Sequence, residues 1–132
     1  MESTETTLSD DVLAYIGKPI SVGPVHGWGW SAAQPRSFQM RLLELCRDPN
    51  GHIRGGLGRI ETRGHAFDEH WVVFSLRHRG VWNFSTNRGH FDVCLYSERP
   101  NEFEAFATQG SFRSAPASSV TCGSAIIGVH DV

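Results

Sequence analysis

The longest run of regular hydrophobic alternation extends from His70 to Ser97. Val72, Phe74 and Leu76 alternate with Val73, Ser75 and Arg77, the period of two of a strand whose successive side chains leave opposite faces. Arg79-Gly80 interrupts, and Val81 to Ser85 resumes with Trp82 and Phe84 on one face. Asn87-Arg88-Gly89 interrupts again, and Gly89 suits the positive φ that closes a three-residue hairpin loop. Phe91, Val93 and Leu95 then oppose His90, Asp92, Cys94 and Tyr96. The pattern predicts three antiparallel strands in a meander. A β-branched, aromatic run with glycine at both breaks fits a helix poorly.

The flanking sequence adds elements of the same kind. Ser9 is a candidate N-cap with Asp10 and Asp11 in the first turn, Val12, Leu13 and Ile16 form an apolar stripe, and Gly17 is placed to stop the helix. Ile20 to Val22 reads as a short strand entered through Pro19. Phe38, Met40 and Leu42 alternate with Gln39 and Arg41, and then Leu43 and Leu45 shift the apolar side by one, the mark of a bulge. Asp48-Pro49-Asn50-Gly51 is a strong turn. It leads into a return strand over 52–62 whose Gly55, Gly56 and Gly58 suggest a bulge, a corner or a close backbone approach. A second short helix is expected after Asn101, and a last strand over 120–129 is so rich in small residues that something must pack closely on it.

The fold expected is mainly β, α+β at the margin. It is an antiparallel barrel or strongly curved sheet of about six or seven strands, with two short helices of which one plugs an end. A two-sheet sandwich is the alternative. A frayed tail over 1–8 precedes a single β-rich domain over 9–132.

Composition changes this picture little. At 132 residues, 39% hydrophobic and 20% charged, the chain can bury a real core. No apolar run approaches a membrane span. The N-terminal MESTETTLSDD is acidic and polar, unlike a secretory or mitochondrial leader, which makes a cytoplasmic location the expectation. Cys46, Cys94 and Cys122 are scattered, odd in number and without a CxxC pair, so they read as buried free thiols. Net charge is −2, which disfavours nucleic acid as a partner. Arginine nonetheless concentrates between His52 and His90, and Lys18 is the single lysine.

Four groups carry candidate chemistry. His90, Asp92 and Tyr96 share a strand face, and if that face lined a barrel they would supply a base, its orienting carboxylate and a proton donor. His90 and Asp92 with the distant His130 would also make a two-histidine, one-carboxylate set for a divalent metal. Cys94 lies too far along the strand from His90 for a nucleophile–base pair. The segment HAFDEH, 65–70, crowds histidines and carboxylates on no ligand spacing and reads as a polar loop. Arg77, His78 and Arg79 occupy a hairpin tip beside Trp82, a basic and aromatic combination that suits phosphate contact and base stacking and equally an acidic protein surface. Trp28 and Trp30 in GPVHGWGWSAAQP either fold back over the core or stand out as anchors for a partner or a sugar. GGLGR lacks the context and ending of a phosphate loop.

The functional expectation is a small interaction module. Trp28 and Trp30 in the aromatic loop, with Arg77, Arg79 and Trp82 at the hairpin tip, would contact a protein partner or a second copy. No cofactor is expected. The alternative is a small barrel enzyme with a His90/Asp92/Tyr96 pocket that takes a small-molecule ligand, acid–base or metal dependent.

Overall fold

A computed structural model describes residues 6–27, 36–61, 69–77, 80–84, 89–101, 103–104 and 121–129. The elements are β1 (Thr6–Leu8), a 3₁₀ helix (Asp10–Tyr15), β2 (Pro19–Val22), β3 (Phe38–Arg47), β4 (Ile53–Ile60), β5 (Trp71–Leu76), β6 (Gly80–Trp82), β7 (Gly89–Tyr96) and β8 (Thr121–Gly128). Six of these strands close a ring in the order β2-β3-β4-β5-β7-β8 and back to β2, every neighbour antiparallel. The expected barrel is therefore what forms. Closure through β2–β8 and β3–β4 sets the sandwich aside.

Alternation builds two apolar layers. One face of every ring strand fills the interior, with Val22, Met40, Ile60, Phe74, Phe91 and Ile127 among its buried side chains. Phe74 and Phe91 meet edge to face at 5.6 Å, a geometry that adds to area burial. Full burial of each such ring contributes about 1.5–3 kcal/mol. The opposite face carries a second, smaller cluster of Cys46, Leu57, Val73, Cys94 and Tyr96 on the outside of the barrel, and Phe103 from the chain beyond β7 packs on it.

So small a ring has to make room for its own filling. A Cβ on Gly58 would lie 2.6 Å from the Met40 sulfur, and one on Gly56 only 2.2 Å from the Glu44 carbonyl oxygen. Both glycines face the β3 bulge, where the register slips between Leu42 and Glu44. The bulge returns Leu45 to the core side and turns Glu44 and Cys46 outward. The close approach read from the sequence of β8 is also present, since Val25 and the His26 carbonyl lie over Gly123.

Three expectations need correction. The central stretch is not a three-stranded meander, because β5 pairs directly with β7 and β6 leaves the ring to run parallel to β1. The reason is at the lower rim, where the barrel needs a stopper. Phe84 is fully buried 6.1 Å from Phe91 and 6.4 Å from Tyr15, and Trp82 packs beside them. Next, Thr6–Leu8 lies within the expected frayed tail yet forms a strand, since buried Leu8 pairs with Ile53 and Trp82; residues 1–5 lie outside the described residues. Last, the helix of 9–16 is a 3₁₀ helix. With three residues per turn, Val12 and Tyr15 face the core while Leu13 and Ile16 stand 43% and 44% exposed. Ser9 is its N-cap residue without a side-chain cap bond, and Gly17 follows it at φ 85°. Most of the second expected helix, 102–109, lies outside the described residues.

The topology separates two rims. Connections 23–37, 61–70 and 97–120 leave from the upper rim. The Asp48–Gly51 turn, the β5–β7 connection and the N-terminal plug occupy the lower one.

Candidate functional site

The face of β7 that carries His90, Asp92, Cys94 and Tyr96 looks away from the barrel axis, because Phe91, Val93 and Leu95 fill the interior. His90 is exposed and Tyr96 is fully buried. Six residues of extended strand separate them, roughly 20 Å at ~3.3 Å per residue. The structure therefore does not gather His90, Asp92 and Tyr96 into one pocket. The Tyr96 hydroxyl has no hydrogen-bond partner among the described residues, and burial pushes its pKa above the phenolic range. Asp92 is 6% exposed, opposite Ser75 and Ser124 on the neighbouring strands. Burial raises its pKa, and Arg77, with Nε 3.2 Å from Oδ1, opposes that shift.

The cysteine reading is overturned. Cys94 and Cys122 sit directly opposite each other on β7 and β8 and form a disulfide. Cys46 is unpaired and buried, its thiol pushed up to about 12 by burial and then by Glu104 and Glu44. The signal that pairs the other two is cross-strand register, which cannot be read from residues 28 apart in sequence.

The interaction candidates separate as well. Trp28, Trp30, Arg79 and His130 lie outside the described residues, as does most of 65–70. Arg77 is at the lower rim, half exposed and engaged with Asp92. Trp82 is half-buried and packs on the core, and its indole nitrogen is buried without a partner among the described residues. Among the described residues no three histidines, cysteines or carboxylates stand close enough to hold a metal ion, and no helix is long and apolar enough to cross a membrane.

The upper rim presents what the sequence did not announce. The chain leaves at Gly27 and returns at Arg36, and the Val25 N–H donates to the Arg36 carbonyl at 2.7 Å, closing the base of the segment that contains Trp28 and Trp30. Beside that base lies an open cleft of about 530 Å³ lined by Ser21, Val22, Gly23, Pro24, Ser37, Phe38, Gln39 and Glu61. Glu61 is held by a fork, with Arg41 Nε donating to Oε1 at 2.6 Å and Nη2 to Oε2 at 3.0 Å. Arg41 is itself tied to the Gly17 carbonyl, and the Glu61 N–H donates to the Gln39 carbonyl at 2.9 Å. Strand alternation places Gln39 and Arg41 on one face, but only the β3–β4 pairing brings Glu61 to them. Further along the outer wall, Trp71 is flanked by the guanidinium groups of Arg59 and Arg99 at 5.2 and 5.3 Å. Both cations lie within the ~6 Å at which a ring attracts them.

No protein-family model, curated protein or solved structure matches this chain. Function has to be argued from the rim itself.

Proposed function

We propose that this protein is a binding module that contacts a protein partner, or a second copy of itself, through its upper rim. The observation that carries this reading is the closed base at Val25 and Arg36, which ties the Trp28/Trp30 segment to the edge of the cleft. Long connections on a rigid scaffold are where binding residues concentrate, and the lower rim is occupied by the protein's own plug. Tryptophan is a preferred interface anchor. Arg77 is engaged with Asp92 at the other rim.

The test uses the double variant Trp28→Ala/Trp30→Ala, with sedimentation for self-association and affinity capture from the source cells for a partner. Loss of the complex with an unchanged melting temperature is the expected result. A double variant that self-associates and captures the same proteins as the wild type refutes the reading.

A cytoplasmic location is carried forward as part of the proposal. The Cys94–Cys122 disulfide argues the other way, because cytosolic thiols are kept reduced. Acid-quenched thiol counting on protein taken from its own cells decides: all three cysteines free in the cytoplasm, Cys46 alone in an oxidising compartment.

A further inference from the structure

Three exposed ion pairs crowd one part of the outer wall, running on from Glu61 at the edge of the upper rim. Arg41 on β3 forks onto Glu61 just beyond β4. Arg59 on β4 lies 4.0 Å from the Glu69 carboxylate and donates to the Glu69 carbonyl at 3.3 Å. Arg99 reaches back over the wall to Glu44 on β3. All six side chains are between 38% and 76% exposed. Half-buried Trp71 stands between two of them, since Arg59 and Arg99 both lie against its ring. Ring and carboxylates hold these guanidinium groups in place, so little side-chain freedom is left to lose when something docks. The arrangement is not one that the fold asks for. Arg41 and Arg59 are direct partners across β3 and β4, and like charges set opposite each other on a sheet face destabilise it. An exposed ion pair returns little in exchange. Stability alone does not account for three arginines here, and local conflicts of this kind gather at functional surfaces.

We infer that two copies of the chain meet on this part of the outer wall, with Arg59 and Arg99 of each exchanging carboxylate partners with Glu44 and Glu69 of the other about a two-fold axis near Trp71. The inference rests on the second-copy form of the proposed function and names the chemistry of that contact. The balance of the two charges decides the occupant. A polyanion would meet three carboxylates, and a basic partner would meet three guanidinium groups. A two-fold contact instead requires one surface to complement itself, and a surface with equal numbers of both charges does so. Tryptophan and arginine are also the residues that most often anchor interfaces.

Sedimentation across concentration compares the wild type with Arg59→Glu/Arg99→Glu and Glu44→Arg/Glu69→Arg, all at exposed positions. The wild type is expected to dimerise. Each variant repels its own copy, and its self-association is expected to weaken about a hundredfold or more. An equimolar mixture of the two variants is expected to dimerise again, because the negative face of one meets the positive face of the other. A structural defect would not be rescued in that way. Variants that dimerise as the wild type does, or a mixture that stays monomeric, overturn the inference. Should a variant fail to fold, hydrogen–deuterium exchange on the wild type at low and high concentration reads the same surface. New protection at 41–44, 57–61 and 69–73 is expected, and dimerisation without it overturns the inference. A wild type that never dimerises but captures a different protein overturns this inference alone and leaves the proposed function standing. Self-association lost in the charge variants but kept in Trp28→Ala/Trp30→Ala supports this site and takes the second copy away from the tryptophan segment.

Discussion

Arg77 and Asp92 form an ion pair across β5 and β7 on the outer wall, with a buried carboxylate and a half-exposed guanidinium. The Asp92 pKa still lies above its ordinary 3.8, so burial outweighs the cation. The native state then holds this proton more tightly than the unfolded chain. Ionised Asp92 costs nothing below the unfolded pKa of 3.8. Its cost grows as pH rises toward the folded value and is complete above it.

Asp92→Asn removes that cost. The variant is expected to be at least as stable as the wild type near neutral pH, with the difference shrinking as pH falls toward about 4. Arg77→Ala acts in the opposite sense and destabilises by about 1 kcal/mol at neutral pH, a modest figure because solvent screens the exposed guanidinium. Urea midpoints across pH for the three proteins check both signs. A neutral-pH loss in Asp92→Asn larger than in Arg77→Ala would contradict the account.

Thiol titration tests the disulfide. Native protein is expected to react slowly or not at all, because Cys46 is buried and its thiol is pushed up to about 12. Protein purified in air without reductant and then denatured should show one thiol, whichever compartment it came from, and denatured, reduced protein three. Cys94→Ala/Cys122→Ala should keep the barrel, since β7 and β8 are also joined by seven residue pairs, but lose about 2–4 kcal/mol. Three thiols in denatured, unreduced protein would leave this pairing without support.

Tyr96→Phe deletes a hydroxyl that is buried without a partner among the described residues. Such a deletion is expected to be neutral, or stabilising by up to about 1 kcal/mol. The same variant bears on the enzyme alternative, because loss of an assigned activity with stability unchanged would restore Tyr96 to a chemical role.

Gly56 and Gly58 differ in what a methyl group would meet. At Gly56 it meets the Glu44 backbone oxygen at 2.2 Å; at Gly58 it meets the Met40 side chain at 2.6 Å and the Arg41 backbone oxygen only at 3.1 Å. Gly56→Ala is therefore expected to cost more than the ~1–3 kcal/mol usual for overpacking, and Gly58→Ala to fall within that range. Thermal denaturation of both variants gives the order, and the reverse order would contradict the close approach of β3 and β4.

Local pattern carried most of the strands into view. The alternation of β5 and β7, the shift at Leu43 and the Asp48–Gly51 turn all depend on neighbours in sequence, and all are present in the fold. Contacts that depend on register were out of reach. Cys94 meets Cys122, Glu61 meets Arg41, and β6 pairs with β1 only because the ring closes where it does. Alternation also could not say which face of β7 looks inward, since both are apolar enough to bury: Phe91, Val93 and Leu95 inside, Cys94 and Tyr96 outside. Sequence shows Trp82 as an aromatic beside arginines and not the hollow that the aromatic fills.

Hydrogen–deuterium exchange on the complex with the captured partner, or on the self-associated protein, tests the central claim most directly. The account expects new protection at 23–27, 36–39 and 61, with the 48–52 turn and the 3₁₀ helix unchanged. Protection confined to the lower rim, around Leu13, Ile16 and 48–52, would contradict it.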